Sequence, residues 1–301
     1  MNKTITYLYV IEGLLILILS GCYSIENNKM IIEDGGTGFY KAIILEEKTL
    51  PGFTIYRPEN MVPFAGTQKL PIVLWKSGDS RNTPKGYANL LNEIASYGYI
   101  VIAADSFSSL FQPVDGELTH DNAVRAVRVL DALDWLTVEN SRKSSRYYQK
   151  IDITKVAVAG QSCVGMQVIE ISMDKRVTTS IICNSGKMNT SVLGGNSDLS
   201  FSKETFKMLH EPILYISGDA SDTAYTNAEE ELRFIDNVPL VLTLSQNTTY
   251  YETYERPHGG SFATAIVAWL DWLLIGDASM FDSLDCHCPY AAWKIEYRNF
   301  E

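Results

Sequence analysis

The sequence is poor in basic residues and in histidine. It has 25 Lys and Arg residues against 36 Asp and Glu residues, which gives a formal net charge of −11. An acidic surface repels phosphate backbones, so the composition argues against nucleic acid as a partner. Only four histidines occur in 301 residues. Any chemistry that needs an imidazole base therefore has few candidates.

The chain also lacks internal repeats and low-complexity tracts. Its composition, 46% hydrophobic and 20% charged, suits one large α/β domain. The five cysteines do not form two spaced pairs of the kind that hold zinc. Cys286-His287-Cys288 supplies too few ligands by itself, so a disulfide or plain burial is expected there. We expect no metal and no organic cofactor.

The N-terminus is expected to be a targeting segment. Lys3 precedes the apolar run Gly13–Leu19, which is too short to span a bilayer and has the length of a signal-peptide core. Leu19-Ser20-Gly21-Cys22 resembles the bacterial lipobox, and that resemblance implies a diacylated Cys22 at the start of the mature protein. The alternatives are a plain secretory signal and an uncleaved anchor.

This interpretation divides the chain into three parts and assigns it a place in the cell. Residues 1–22 are the expected lipoprotein signal peptide, residues 23–38 a polar tether, and residues 39–301 the folded domain. The protein is then expected in the bacterial cell envelope, in the periplasm or on the cell surface, with its lipid anchor in the membrane. Disulfides persist in such an oxidising compartment.

Strand and helix signals alternate through the domain. A hairpin is expected over residues 39–57, and continuous apolar runs that each precede a helix predict parallel strands covered on both faces. The main runs are Pro71–Trp75, Tyr99–Ala104, Lys155–Ala159, Thr178–Cys183, Pro212–Ile216 and Pro239–Leu244. Two leading antiparallel strands and about six parallel ones match the α/β-hydrolase order. We therefore expect a mainly parallel, eight-stranded sheet with helices on both faces.

The junction after the Lys155–Ala159 run has the pattern of a nucleophile elbow. Gly160-Gln161-Ser162-Cys163-Val164-Gly165 places a serine between a strand and a helix, where a sharp turn exposes the hydroxyl. The second glycine comes one residue later than in the usual Gly-x-Ser-x-Gly motif. The alternative interpretation is an ordinary turn. Ser162 is the candidate nucleophile.

A serine nucleophile needs a base and an acid that orients the base. His258 is the only histidine between the last parallel strand and the final long helix, and the alternative for it is a solvated loop residue. The acid is expected after the Pro212–Ile216 strand, where Asp219 and Asp222 compete. The usual spacing past Gly218 favours Asp222, with Asp219 as a turn residue.

An oxyanion hole is expected from two chain segments. One donor is the backbone amide of Cys163, and the other comes from the loop after the Trp75 strand, at Gly78 and Asp79. Gly78 permits close approach of the backbone. The carboxylate of Asp79 opposes a developing negative charge unless it points away and caps the following helix.

Several stretches together resemble secreted α/β-hydrolases related to the dienelactone hydrolases and the cutinase-like polyester hydrolases. They extend from Pro71 to Trp293 and are Glu93–Tyr99, Gly160–Cys163, Gly218 with Asp222–Tyr225, Ala268–Trp272 with Gly276-Asp277, and Cys286–Cys288 with Trp293. The resemblance implies an α/β-hydrolase fold and a serine hydrolase that cleaves carboxylic esters through an acyl-enzyme. The expected substrate is a small-molecule or polysaccharide-linked ester.

Two stretches differ from those relatives. The Gly-rich loop of the relatives is Lys76–Ser80 here, and their Gly-His-Gly-Gly segment aligns with Thr248–Tyr254, which holds no histidine. These differences support a second hypothesis, in which the protein is a catalytically impaired surface lipoprotein that binds a ligand. In that case Tyr250, Tyr251 and Tyr254 would stack on sugar rings above the site, unless they only pack within the protein.

Overall fold

The protein is a mixed α/β domain built on one ten-stranded sheet. The computed structural model describes residues 29–76, 84–104, 122–161, 165–185, 206–218, 232–245, 252–284 and 293–300. Within these residues the strands follow the order β1-β2-β3-β5-β4-β6-β7-β8-β9-β10. They are β1 Lys29–Met30, β2 Ala42–Leu45, β3 Thr54–Pro58, β4 Leu70–Lys76, β5 Ile100–Ala103, β6 Ile151–Gln161, β7 Thr179–Cys183, β8 Ile213–Ser217, β9 Leu240–Ser245 and β10 Trp293–Arg298.

Helices cover both faces of the sheet, as the sequence predicted. They are α1 Pro84–Ser96, α2 Asn122–Ser141, α3 Gly165–Ser172, α4 Glu252–Glu255, α5 Gly260–Leu270 and α6 Ser279–Leu284. Apolar side chains of α2 and α3 join the core on one face, and those of α1, α5 and α6 join the core on the other. Burial on both faces explains why the central strands are continuous apolar runs rather than alternating ones.

The six central strands, from β5 to β9 in sheet order, run parallel to one another. Antiparallel strands flank them on both sides: β1, β2 and β3 on one side and β10 on the other. Parallel neighbours all end at the same edge of the sheet. This edge is therefore where loops from β4, β6, β7, β8 and β9 meet.

The predicted strand number was wrong, because the described residues alone form a sheet of ten strands rather than eight, and four of the nine pairings among them are antiparallel. The hairpin of β2 and β3 was predicted, but β1 and β10 were not. β1 has two residues, too few for a periodic pattern. β10 is an edge strand with several exposed positions and no apolar run, although it pairs with β9 over six residues.

Residues 29–38, which the sequence assigned to a tether, are attached to the domain. Lys29 and Met30 pair with β2. The amide of Thr37 donates to Glu93 Oε2 at 3.0 Å, and the amide of Gly38 donates to Ser96 Oγ at 2.9 Å. This segment therefore lies on the C-terminal turns of α1. The remaining part of the predicted tether, residues 23–28, lies outside the described residues.

One helical stretch among the described residues, Pro257–Ile275, has the length and mean hydropathy of a candidate membrane span. It contains α5 and a π-helical turn over Asp271–Ile275. More than half of its most apolar window is buried inside the protein, and the side chains from Ala265 to Leu270 are all buried in the core. Its apolar character is thus explained by packing against the sheet.

Candidate functional site

The loops that carry the predicted catalytic residues follow the carboxyl ends of adjacent parallel strands. Lys76 at the end of β4 lies in register with Gly160 of β6, and Gln161 at the end of β6 lies in register with Cys183 of β7. Ser217 ends β8, next to β7. The chain segments that continue from these residues therefore start at one edge of the sheet.

Most of the predicted site residues lie outside the described residues. They are Gly78, Asp79, Ser162, Cys163 and Asp222, together with the predicted lipidation site Cys22. Their roles remain predictions. What the structure establishes is the position of the strands from which their loops start.

A strand and a helix flank the segment around Ser162. β6 ends at Gln161 and α3 begins at Gly165, so only three residues connect them. β6 lies between β4 and β7, in the interior of the parallel part of the sheet. A short connection from an interior strand to a helix is the context in which a Gly-x-Ser sequence exposes its serine at the edge of the sheet.

A buried group of polar and aromatic side chains lies at the end of β6. We call it the edge cluster; its members are Trp75, Tyr87, Gln161, Asn184 and Tyr254, none of them more than 2% exposed. The Tyr87 hydroxyl donates to Gln161 Oε1 at 2.6 Å. The Tyr254 hydroxyl donates to Asn184 Oδ1. The cluster thus joins α1, α4 and the carboxyl ends of β4, β6 and β7.

Two donors of the edge cluster, Gln161 Nε2 and Trp75 Nε1, are buried and have no hydrogen-bond acceptor within the part of the chain that the structure describes. An unpaired buried donor costs about 1–3 kcal/mol, so groups of this kind are uncommon. Gln161 immediately precedes Ser162 in the chain.

Tyr254 does not lie open above the site, as the ligand-binding hypothesis had it. It is 2% exposed. Its ring packs edge-on against Tyr87 and Phe262, with ring centroids 5.2 and 5.4 Å away. Stacking of Tyr254 on a sugar ring is excluded by this burial. Tyr250 and Tyr251 lie outside the described residues.

His258 is held against α1 by two glutamates. Its amide donates to Glu33 Oε2 at 2.7 Å. Its ring Nδ1 lies 3.4 Å from Glu93 Oε2 and 3.6 Å from Glu33 Oε2, and it is buried without a hydrogen bond, while 41% of the side chain is exposed. The backbone of His258 has φ 57°, a left-handed conformation that non-glycine residues seldom adopt.

The loop of His258 descends along α1 away from the edge cluster. Asn89 Nδ2 donates to the carbonyl oxygens of Glu255 and Arg256 at 3.2 and 3.1 Å. Glu93 follows Tyr87 by six residues, which is about 9 Å along a helix axis. In this conformation the imidazole of His258 therefore lies beside the later turns of α1, below the level at which Tyr87 contacts Gln161.

A cavity among the described residues lies at the opposite edge of the sheet. It has a volume of about 480 Å³ and is lined by Ile153, Thr154, Lys175, Arg176, Val177, Thr178, His210, Glu211 and Pro212. In it, Glu211 accepts from Ser180 Oγ at 2.9 Å and from the amide of His210 at 3.1 Å. Burial raises the pKa of Glu211 despite these hydrogen bonds.

Most polar groups of that cavity already have partners within the protein. Arg176 is paired with Asp174 and Asp134 at 2.7 and 2.5 Å. Thr178 Oγ1 donates to the carbonyl of Thr154 at 3.1 Å. The cavity therefore offers a ligand few unsatisfied groups, and its hydrogen bonds are better explained as supports for the amino ends of β6, β7 and β8.

Among the residues that the structure describes, no three His, Cys, Asp or Glu side chains are arranged to hold a metal ion. Cys286, His287 and Cys288 are outside those residues. The chain matches no protein-family model, and no curated protein matches it in sequence. The interpretation of the site therefore depends on its own chemistry.

Proposed function

We propose that this protein is a serine hydrolase of the α/β-hydrolase fold that cleaves carboxylic esters. The observation that supports this most strongly is the connection of three residues, Ser162 to Val164, between an interior parallel strand and a helix. Support for the fold comes from six parallel strands preceded by an antiparallel hairpin, with helices on both faces. A serine hydroxyl at such a turn is exposed and can be activated by a neighbouring base.

In the proposed reaction Ser162 attacks the ester carbonyl while His258 takes the hydroxyl proton. Asp222 holds the imidazole in the required orientation. The tetrahedral oxyanion accepts hydrogen bonds from the amide of Cys163 and from an amide at Gly78 or Asp79. The intermediate expels the alcohol, which receives the proton from His258. Water then attacks the acyl-enzyme while His258 takes its proton. The acid leaves as Ser162 receives that proton from His258.

The proposed location is the cell envelope, with the domain held near a membrane by a lipid on Cys22. Because residues 29–38 are attached to the domain, only the chain from Cys22 to Lys29 separates it from the anchor. Seven residues span at most about 25 Å when fully extended. The substrate would then be an ester that occurs near the membrane surface or an ester carried by envelope polysaccharide.

One observation favours a second function, a non-catalytic binding module on the same fold. The His258 ring lies beside Glu93 and Glu33, with Nδ1 at 3.4 Å and 3.6 Å from their carboxylates. This place is about 9 Å along α1 from Tyr87, which contacts Gln161, so the ring has to move before it can serve a nucleophile at the end of β6. A protein that keeps this arrangement would have no base at Ser162. Ligand binding without turnover would then be its activity.

Hydrolysis of short p-nitrophenyl esters distinguishes the two functions. We expect the purified domain, residues 29–301, to release p-nitrophenol with saturable kinetics, and Ser162→Ala to reduce the rate to the uncatalysed level. Ser217→Ala, which changes a serine at the end of a neighbouring strand, is the matched control and should keep its turnover. A rate that Ser162→Ala leaves unchanged would refute the assignment of the nucleophile.

A further inference from the structure

β10 is the last strand on its side of the sheet. It pairs with β9 over its whole length, from Trp293 to Arg298. Within the part of the chain that the structure describes, no strand pairs with its other edge. Such an edge presents a row of backbone N–H and C=O groups, which is a template for pairing with a further strand. The side chains of β10 decide which strand fits there.

The charges of β10 alternate in sign along one face of the strand. Successive side chains of a strand point to opposite faces, so Lys294, Glu296 and Arg298 share a face. Glu296 and Arg298 form an ion pair, with Oε1 and Nε 2.7 Å apart. Lys294 is exposed and has no ion-pair partner among the described side chains. A strand with charges of one sign would repel a second copy of itself, whereas alternating charges can match one.

The charges select the register in which two copies of β10 can pair. Two identical antiparallel strands related by a two-fold axis have one residue opposite its own copy. With the axis at a charged residue, that residue faces a like charge. With the axis at Ile295, Lys294 of each copy faces Glu296 of the other. With the axis at Tyr297, Glu296 faces Arg298, but only the last residues of the strand overlap. The axis at Ile295 therefore combines opposite charges with the longer ladder.

Apolar side chains lie beside this edge on the other face of β10. Tyr297 and Phe300 are 41% and 42% exposed, and their ring centroids are 5.5 Å apart. The ring of Trp272 stacks on Phe300 with a centroid distance of 6.1 Å. In the register centred on Ile295, Tyr297 of one copy faces Trp293 of the other, which is a favourable aromatic cross-strand pair. The paired edge thus adds apolar contacts to its two ion pairs.

We propose that β10 is a dimer interface, at which two copies of this chain pair their β10 strands antiparallel about a two-fold axis at Ile295. The partner is a second copy because the charges of the strand match those of the same strand reversed. The two sheets then form one continuous sheet, in which the parallel strands of the two copies point in opposite directions. This interface lies at the edge of the sheet, so it is independent of the proposed hydrolysis.

The test measures self-association by sedimentation velocity for the chain from Tyr23 to Glu301, which keeps every described residue. We expect the wild type to dimerise at micromolar concentrations. Lys294→Glu and Glu296→Lys each place like charges opposite one another at both symmetry-related positions, so each variant alone should have a dissociation constant at least about tenfold higher. An equimolar mixture of the two variants should dimerise again, because every charge pair across the mixed interface is then of opposite sign.

Lys48→Glu is the matched control and should leave the dimer unchanged, since Lys48 is an exposed lysine between β2 and β3, on the other side of the sheet. Circular dichroism shows whether each variant is folded. A wild type that stays monomeric would overturn the proposal, and so would folded variants that fail to associate on mixing. A dimer weakened by Glu296→Lys but not by Lys294→Glu would overturn the register at Ile295. None of these results depends on ester turnover, so the proposed function is tested separately.

Discussion

Replacing Gly259 by alanine tests whether the loop after β9 is packed on α1 as described. Gly259 has φ +68°, a conformation that costs an L-residue about 1–2 kcal/mol. A Cβ at this position would lie 2.5 Å from Leu90 Cα and 3.0 Å from Ala263 Cβ. The first of these neighbours is helix backbone, so α1 and the loop would have to separate.

The expected destabilisation has two parts. Carbon atoms pack best at about 3.5–4.0 Å, so a contact of 2.5 Å is severe, and overpacking of this kind costs about 1–3 kcal/mol. Added to the backbone strain, the loss of unfolding free energy in Gly259→Ala should be about 2–5 kcal/mol. This is a large part of the stability of about 5–15 kcal/mol that is typical of a domain.

Gly276→Ala is the matched control. Gly276 has φ +87°, but a Cβ there would meet no atom within 4 Å. Its alanine variant should lose only about 1–2 kcal/mol through backbone strain. Chemical denaturation of both variants gives the two values, and their difference measures the contact with Leu90. Equal losses would show that the loop is not seated on α1, and His258 would then not be held beside Glu93.

Two further predictions concern buried groups away from the loop. Burial raises the pKa of Glu211 above its ordinary 4.5. The folded protein therefore holds this proton more tightly than the unfolded chain does. The stability that the proton gives at low pH is lost as the pH rises through the raised pKa. Glu211→Gln keeps an acceptor for Ser180 but cannot ionise. Denaturation at several pH values should therefore show that this variant gains stability relative to wild type as the pH rises above 4.5. Parallel stability profiles of the two proteins would contradict the raised pKa of Glu211. Cys183 is fully buried, and burial raises the pKa of its thiol. Mass mapping should find Cys183 alkylated by iodoacetamide only after denaturation, and rapid labelling of the native protein would contradict its position in β7.

The central part of the fold could be predicted from the sequence because its strands are buried on both faces. Continuous apolar runs identified β4 to β9, and α1, α2, α3 and α5 followed from spacing at 3.6 residues. The flanking strands gave no such signal. β10 has Lys294, Glu296 and Tyr297 among its exposed side chains, and such a pattern does not distinguish an edge strand from a loop.

The site was predictable only where it depends on local sequence. The strand that ends at Gln161 and the helix that begins at Gly165 were both expected from the sequence on either side of Gly-x-Ser. The surroundings of His258 depend on contacts over long separations: Glu93 precedes it by 165 residues and Glu33 by 225 residues. No pattern in the chain indicates that these three side chains meet. The bond between Tyr87 and Gln161 was unpredictable for the same reason.

The central claim is that Ser162 is an activated nucleophile with His258 as its base. Labelling of the domain with a fluorophosphonate probe tests it most directly, because the probe reacts covalently only with an activated serine. We expect stoichiometric labelling of the wild type at Ser162, and loss of labelling in both Ser162→Ala and His258→Ala. Labelling that persists in His258→Ala would show that the base is another residue. A wild type that does not react would contradict the claim and support a binding module.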